Sequence, residues 1–259
     1  MADDINTDAT AAEPAEHEAV SRQLVARTQA LLTAWQDKDE QAFFDLIDEE
    51  RLALSEGKQA LTPRDRRRAL FERFAWIRLM NAEVRALAGP DYWVTWFGQY
   101  FRSPAFASEG VKRLYWQKDE QGRWRVIGME WAPEHYGLEK AYQDRTAAEV
   151  RTWLDDWRVA WEKGDLSRYL AFYDETAVQG DRKGVAAIQD QKKSLWNAKR
   201  PKRVDLEDVS VALHPQGVQV RFRQTYQSAD GSGDVGQKTL ILRPRGQSWA
   251  VLREDWSGS

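Results

Sequence analysis

The apolar positions of this chain follow two periods, first helical and then alternating, and the whole progression occurs twice. In the second half, Trp153, Trp157 and Trp161 recur every four residues and so share one face of a helix. Thr146-Ala-Ala-Glu149 ahead of them reads as a capping box, which predicts the helix start there. Gly164-Asp165 interrupts the pattern, and a short second helix is predicted to carry Tyr169, Leu170 and Tyr173. A third helix spans roughly 183–199. Four strands are then predicted near 202–213, 217–228, 234–243 and 247–256, with turns at Pro215-Gln216-Gly217 and Gly231-Ser232-Gly233. Val218, Val220 and Phe222 alternate with Gln219, Arg221 and Arg223, the period of a strand with one buried face.

The first half repeats the plan. Leu24, Leu31 and Trp35 form its helical stripe, Phe43, Phe44 and Ile47 follow, and Thr62-Pro63 opens a third helix. Strands are predicted near 78–88, 91–102, 111–119 and 122–131. An offset of 126 residues superposes Ala34-Trp35 on Ala160-Trp161, Val94 on Val220, Trp96 on Phe222, Tyr100 on Tyr226 and Lys112 on Lys238. After a one-residue deletion Trp124 meets Trp249 and Trp131 meets Trp256. This register predicts a tandem duplication. The expected organisation is a disordered acidic tail at 1–20, one copy at 21–132, a linker at 133–145 and a second copy at 146–259. Each copy is predicted to be an α+β cone: three N-terminal helices packed on a curved antiparallel sheet of four or more strands.

Composition narrows the chemistry. The 259 residues contain no cysteine, which excludes disulfides, thiolate nucleophiles and cysteine-ligated zinc. The three histidines, His17, His135 and His214, form no metal-type pair, and no cofactor is expected. No apolar run is long enough to span a membrane. Net charge is −3, and residues 1–20 alone carry six acids and no base, so there is no general basic excess to suggest nucleic acid. That acidic, alanine-rich opening reads either as the start of a mature secreted form or as a cytosolic tail.

The second half resembles the nuclear transport factor 2-like domain at the C-terminal end of some bacterial L,D-transpeptidases. The resemblance rests on Trp157-Arg-Val-Ala-Trp161, on Asp165 through Tyr173, on Val218 through Ser228, on Lys238 through Arg243, and on Trp249 through Trp256. It covers roughly 150–256, and the first half joins it through its likeness to the second. The transpeptidase chemistry itself needs a cysteine beside a histidine, and this chain has no such motif. What the resemblance implies is a non-catalytic binding or scaffolding module in the periplasm, with peptidoglycan or an envelope protein as partner. Other relatives of this fold, of the SnoaL-like isomerase and dehydratase kind, imply the alternative of a small-molecule enzyme or carrier.

Three sets of residues are candidates for function. Trp161, Tyr173, Tyr226 and Trp256 would line a ligand pocket or simply fill the core. The third helices are basic: Arg64, Arg66, Arg67, Arg68 and Arg73 in one, Lys192, Lys193, Lys199 and Arg200 in the other. Such a run is a solvated face or a docking face for an anionic polymer. Trp93, Thr95 and Phe97 replace the polar face Gln219, Arg221 and Arg223, so with Tyr115 they predict an apolar outer sheet face covered by the other copy or by a second chain. Asp39, Asp48, Asp165 and Asp174 serve either as a general base or as helix-end residues.

Overall fold

The structure is a computed structural model and describes residues 9–57 and 59–258. The chain divides into two compact units, Met1–Ala141 and Tyr142–Ser259. Each is α+β, with a largely antiparallel sheet after its first helices.

In the first unit, α1 (Ala9–Asp37) places Leu24, Thr28, Leu31 and Trp35 on one buried face. The helices α2 (Glu40–Phe44), α3 (Glu49–Glu56) and α4 (Pro63–Arg73) follow, so the described residues of this unit form four helices where three were expected. Asp39 caps α2 through the Ala42 amide (2.9 Å), as expected. Asp48 does not close α2 but opens α3, accepting from the Arg51 amide (3.1 Å). The sheet runs β1 (Arg78–Asn81), β3 (Trp93–Arg102), β4 (Ala107–Lys118) and β5 (Trp124–Pro133), and β2 (Arg85–Ala88) also pairs with β3. The predicted single strand at 78–88 is thus two short strands.

In the second unit, α5 (Leu138–Glu162), α6 (Leu166–Ala171) and α7 (Val185–Ala198) accompany a six-stranded sheet. Its order is β7 (Arg182–Lys183), β6 (Tyr173–Gln179), β11 (Ser248–Gly258), β10 (Gly233–Arg245), β9 (Gly217–Ser228) and β8 (Pro201–His214). Gly164 at φ +64° ends α5, and Asp165 then caps α6 through the Arg168 amide (3.0 Å). Tyr173 belongs to β6 and not to the second helix; β6 runs parallel to β11. Asp174, also in β6, accepts from Thr176 and pairs with Arg243.

Both predicted borders move. Helix α1 begins at Ala9, so the expected disordered tail is helical from there, and residues 1–8 lie outside the described residues. Helix α5 begins at Leu138, inside the expected linker, where Glu109 accepts from the Tyr136 and Leu138 amides (2.8 and 2.7 Å). Thr146 is therefore a buried mid-helix residue, and Glu149 pairs with Arg145 one turn back instead of capping.

The predicted interface face is also corrected. Phe97 is buried in the first unit's own core and Trp93 packs against that core, while Thr95 bonds Thr28 (2.9 Å) and receives the Trp116 indole N–H (2.9 Å). Tyr115 sits opposite Val94, on the other face, bonded to Glu130. The reason is register. Phe97 pairs with Lys112 as Phe222 pairs with Lys238, so this strand corresponds to β9 at an offset of 125. A slip of one residue exchanges the two faces of a strand.

Candidate functional site

The sheet and α7 of the second unit enclose a cavity of about 500 Å³. Strand parity builds its floor. Lys238 shares the inward parity of Leu240 and Leu242 on β10, and Leu240 stands opposite Glu254 on β11. Lys238 and Glu254 are each only 3% exposed, and they form an ion pair. Tyr173 donates to Glu254 Oε2, Gln179 Nε2 donates to the same oxygen (2.8 Å), and the Tyr169 and Tyr173 hydroxyls share a hydrogen bond. Burial would raise the Glu254 carboxyl, but the Lys238 and Lys192 ammonium groups and these hydrogen bonds outweigh it and hold it at about 2. Burial and the Glu254 charge drive both Tyr169 and Tyr173 well above the ordinary tyrosine range, so they act as neutral hydroxyls.

Lys192 reaches the same cavity from α7 and is 7% exposed. Its ammonium lies 4.8 Å from the Trp161 ring and 5.4 Å from the Tyr169 ring, and no ion pair holds it among the described residues. Burial lowers it to about 8; Glu254 opposes that shift and Lys238 adds to it. Lys238 is boxed by aromatic rings, 4.4 Å from Trp161 and 5.5 Å from Trp256. Gly236 makes room for Trp256, since a Cβ there would lie 2.8 Å from the indole. The Gln179, Gln191 and Gln224 Oε1 atoms and the Trp161 Nε1 are buried without partners. They line the cavity as unspent hydrogen-bonding groups.

Of the predicted ligand residues, Trp161, Tyr226 and Trp256 line this cavity, with Tyr226 stacked on Trp161 at 5.7 Å. Tyr173 lies behind the floor and acts through Glu254. Lys193 and Arg200 are exposed and take no part, whereas Lys192 points inward, so the expected basic docking face splits. In the first unit the basic run is largely neutralised: Arg64 pairs with Glu49 and Glu40, Arg66 with Glu56, and Arg68 with Glu40. Neither the capping Asp39, Asp48 and Asp165 nor the Arg243-paired Asp174 is placed as a general base. Glu254 and Lys238 were not singled out by sequence. A charged residue repeating the parity of apolar neighbours, as Lys238 does, is the signal that marks them.

Among the described residues no cluster of histidine and acidic side chains is arranged to hold a metal, and no helix is long and apolar enough to cross a membrane. No curated protein matches the chain. Among solved structures, Bd1075 of Bdellovibrio bacteriovorus is 25% identical with a TM-score of 0.40, over 51% of this chain and 45% of that one. The match therefore spans less than half of that protein's length. An NTF2-like protein of unknown function from Pseudomonas putida is 17% identical with a TM-score of 0.40, over 44% of this chain and 87% of that one. The helical cell shape determining protein Pgp2 of Campylobacter jejuni is 20% identical with a TM-score of 0.38, over 42% and 40%. Residues 149–255, which include every lining residue of the cavity except Trp256, match the family model described as the Cds6 C-terminal NTF2-like domain.

Proposed function

We propose that the second unit is a non-catalytic binding module of the bacterial cell envelope that takes a carboxylate of peptidoglycan into its cone pocket. The observation that carries this reading is the Lys192 ammonium, buried in the cavity wall with no ion pair of its own among the described residues. Glu254 is already shared by Lys238 and two further hydrogen-bonding neighbours, Tyr173 and Gln179, so the buried Lys192, Lys238 and Glu254 together carry one positive charge in excess. An exposed cation–π contact contributes about 0.5–1 kcal/mol and a desolvated one about 2, while burying an ion costs several. The rings alone do not offset that cost; an anion does. Peptidoglycan stem peptides carry carboxylates, and the resemblance to transpeptidase accessory domains supports the envelope and its remodelling enzymes as the setting. On this reading the protein works in the periplasm.

The isomerase or dehydratase alternative requires a carboxylate ready to accept a proton near neutrality. Glu254, ion-paired and held at about 2, is a poor general base. We also read the two units as tandem copies. Equivalent pairings support this: Phe97–Lys112 with Phe222–Lys238, and Leu114–Met129 with Leu240–Glu254.

The test is retention on purified peptidoglycan sacculi at two salt concentrations, using the full chain and Lys192→Gln. Salt-sensitive retention that drops at least tenfold in the variant is the expected outcome. Equal retention of both proteins, or none of either, removes the pocket from peptidoglycan binding.

A further inference from the structure

The first unit holds a second pair of cations set against aromatic rings, buried Lys112 and half-buried Arg67, and these lack even the carboxylate that Lys238 has. Lys112 stands on β4 where Lys238 stands on β10. The register position held by Glu254, opposite Leu240, is held here by Met129, opposite Leu114. Lys112 is 8% exposed, its ammonium 4.9 Å from the Trp35 ring, with no hydrogen bond or ion pair among the described residues.

A second cation shares that ring. The Arg67 guanidinium, projecting from α4, lies 4.6 Å from Trp35, 4.5 Å from Phe43 and 5.9 Å from Phe71. Among the described residues it is the one member of the 64–68 arginine run with no carboxylate paired to it; Glu56, which attracts both cations, is bound to Arg66. Two further side chains of this core leave an N–H donor unsatisfied. Gln99, on the same inward face of β3 as Phe97, leaves its Nε2 unpaired, and Trp35 leaves its Nε1 unpaired. Two cations therefore meet at the Trp35 ring, whose own N–H is unpaired, and no carboxylate is paired with either of them among the described residues. Such a set is electrostatically incomplete, because like charges out of water repel and a buried donor left unpaired loses its hydration without compensation.

We propose that the interior of the first unit is an oxyanion site, in which Lys112, Arg67, Gln99 and Trp35 bind the carboxylate or phosphate group of a small ligand. Planar Arg67 suits a two-oxygen contact and Lys112 supplies a point charge. Binding is linked to protons. Burial lowers Lys112 to about 7, Arg67 adds to that shift and Glu56 opposes it. A bound anion favours the charged lysine, so the complex takes up protons at and just above neutrality.

The site is independent of the second-unit pocket, and the experiment separates the two. The full chain carrying Lys192→Met is titrated calorimetrically with N-acetylalanine and, separately, with inorganic phosphate, in two buffers of different ionisation enthalpy. One oxyanion is expected to bind per chain with proton uptake near neutral pH. The tighter of the two probes assigns the head group as carboxylate or phosphate. Adding Lys112→Met, which removes the charge but keeps an unbranched side chain, is expected to weaken binding at least tenfold and abolish the proton uptake. Arg67→Gln, at a half-buried position, is a second variant that should weaken binding without emptying the core. Absence of binding by the Lys192→Met chain, or binding unchanged by both added substitutions, overturns the proposal.

Discussion

Glu254 shares the interior of the second unit with two buried lysines, Lys192 and Lys238. Glu254 illustrates how a residue's role follows from its neighbours. Its carboxylate meets Lys238, Tyr173 and Gln179 within one enclosed floor. Glu254→Gln leaves Lys238 buried without a counterion, and breaking one side of such a pair costs about 3–5 kcal/mol. Chemical denaturation of the variant should show that loss. The acid response has a definite sign. The folded value is about 2 against an ordinary 4.5, so this stabilisation is present above pH 4.5 and is lost as pH falls toward 2. The shift corresponds to about 3 kcal/mol. Glu254→Gln should therefore flatten the acid limb of the stability profile between those values, and an unchanged limb would exclude the pair as its cause.

At the scale of the element, register decides which side chains a strand hides. Alternation in 91–102 is visible in the sequence, but nearly every position there is apolar on both faces, so hydrophobicity alone does not distinguish inside from outside. Thr95, Phe97, Gln99 and Phe101 face the helices, and the pairing Phe97–Lys112 sets that choice. Phe97→Ala is therefore expected to behave as a core deletion, costing about 3–5 kcal/mol, with no change in oligomeric state. Denaturation and size-exclusion chromatography together check this, and a changed assembly with intact stability would restore the interface reading. Helix ends show the same division. Asp39 and Asp165 were legible as caps because the cap bond is local. The Thr146 capping box was misleading: α5 continues upstream to Leu138, where Glu109, distant in sequence, supplies the end group. Strand β6 was missed because its partner β11 lies about eighty residues away and the segment itself has no alternating pattern.

At the scale of the whole molecule, each unit has its own core. One cluster uses residues between Leu24 and Val126, the other residues between Val150 and Val251, and they share none. A fragment of residues 138–259, which keeps α5 whole, is expected to fold alone with a cooperative thermal transition and near-native circular dichroism. A fragment without cooperative unfolding would show that the second core is not self-sufficient. The sequence by itself determined the α+β class, the order of helices before strands, the tryptophan stripe of α5 and the absence of cysteine chemistry, because periodicity and composition are local or additive properties. Only the tertiary structure decided that Lys192 turns inward, that Glu254 lies beneath it, and that Met129 leaves Lys112 without a counterpart to that glutamate. Those facts depend on strand register and on pairs far apart in the chain, which no local pattern encodes.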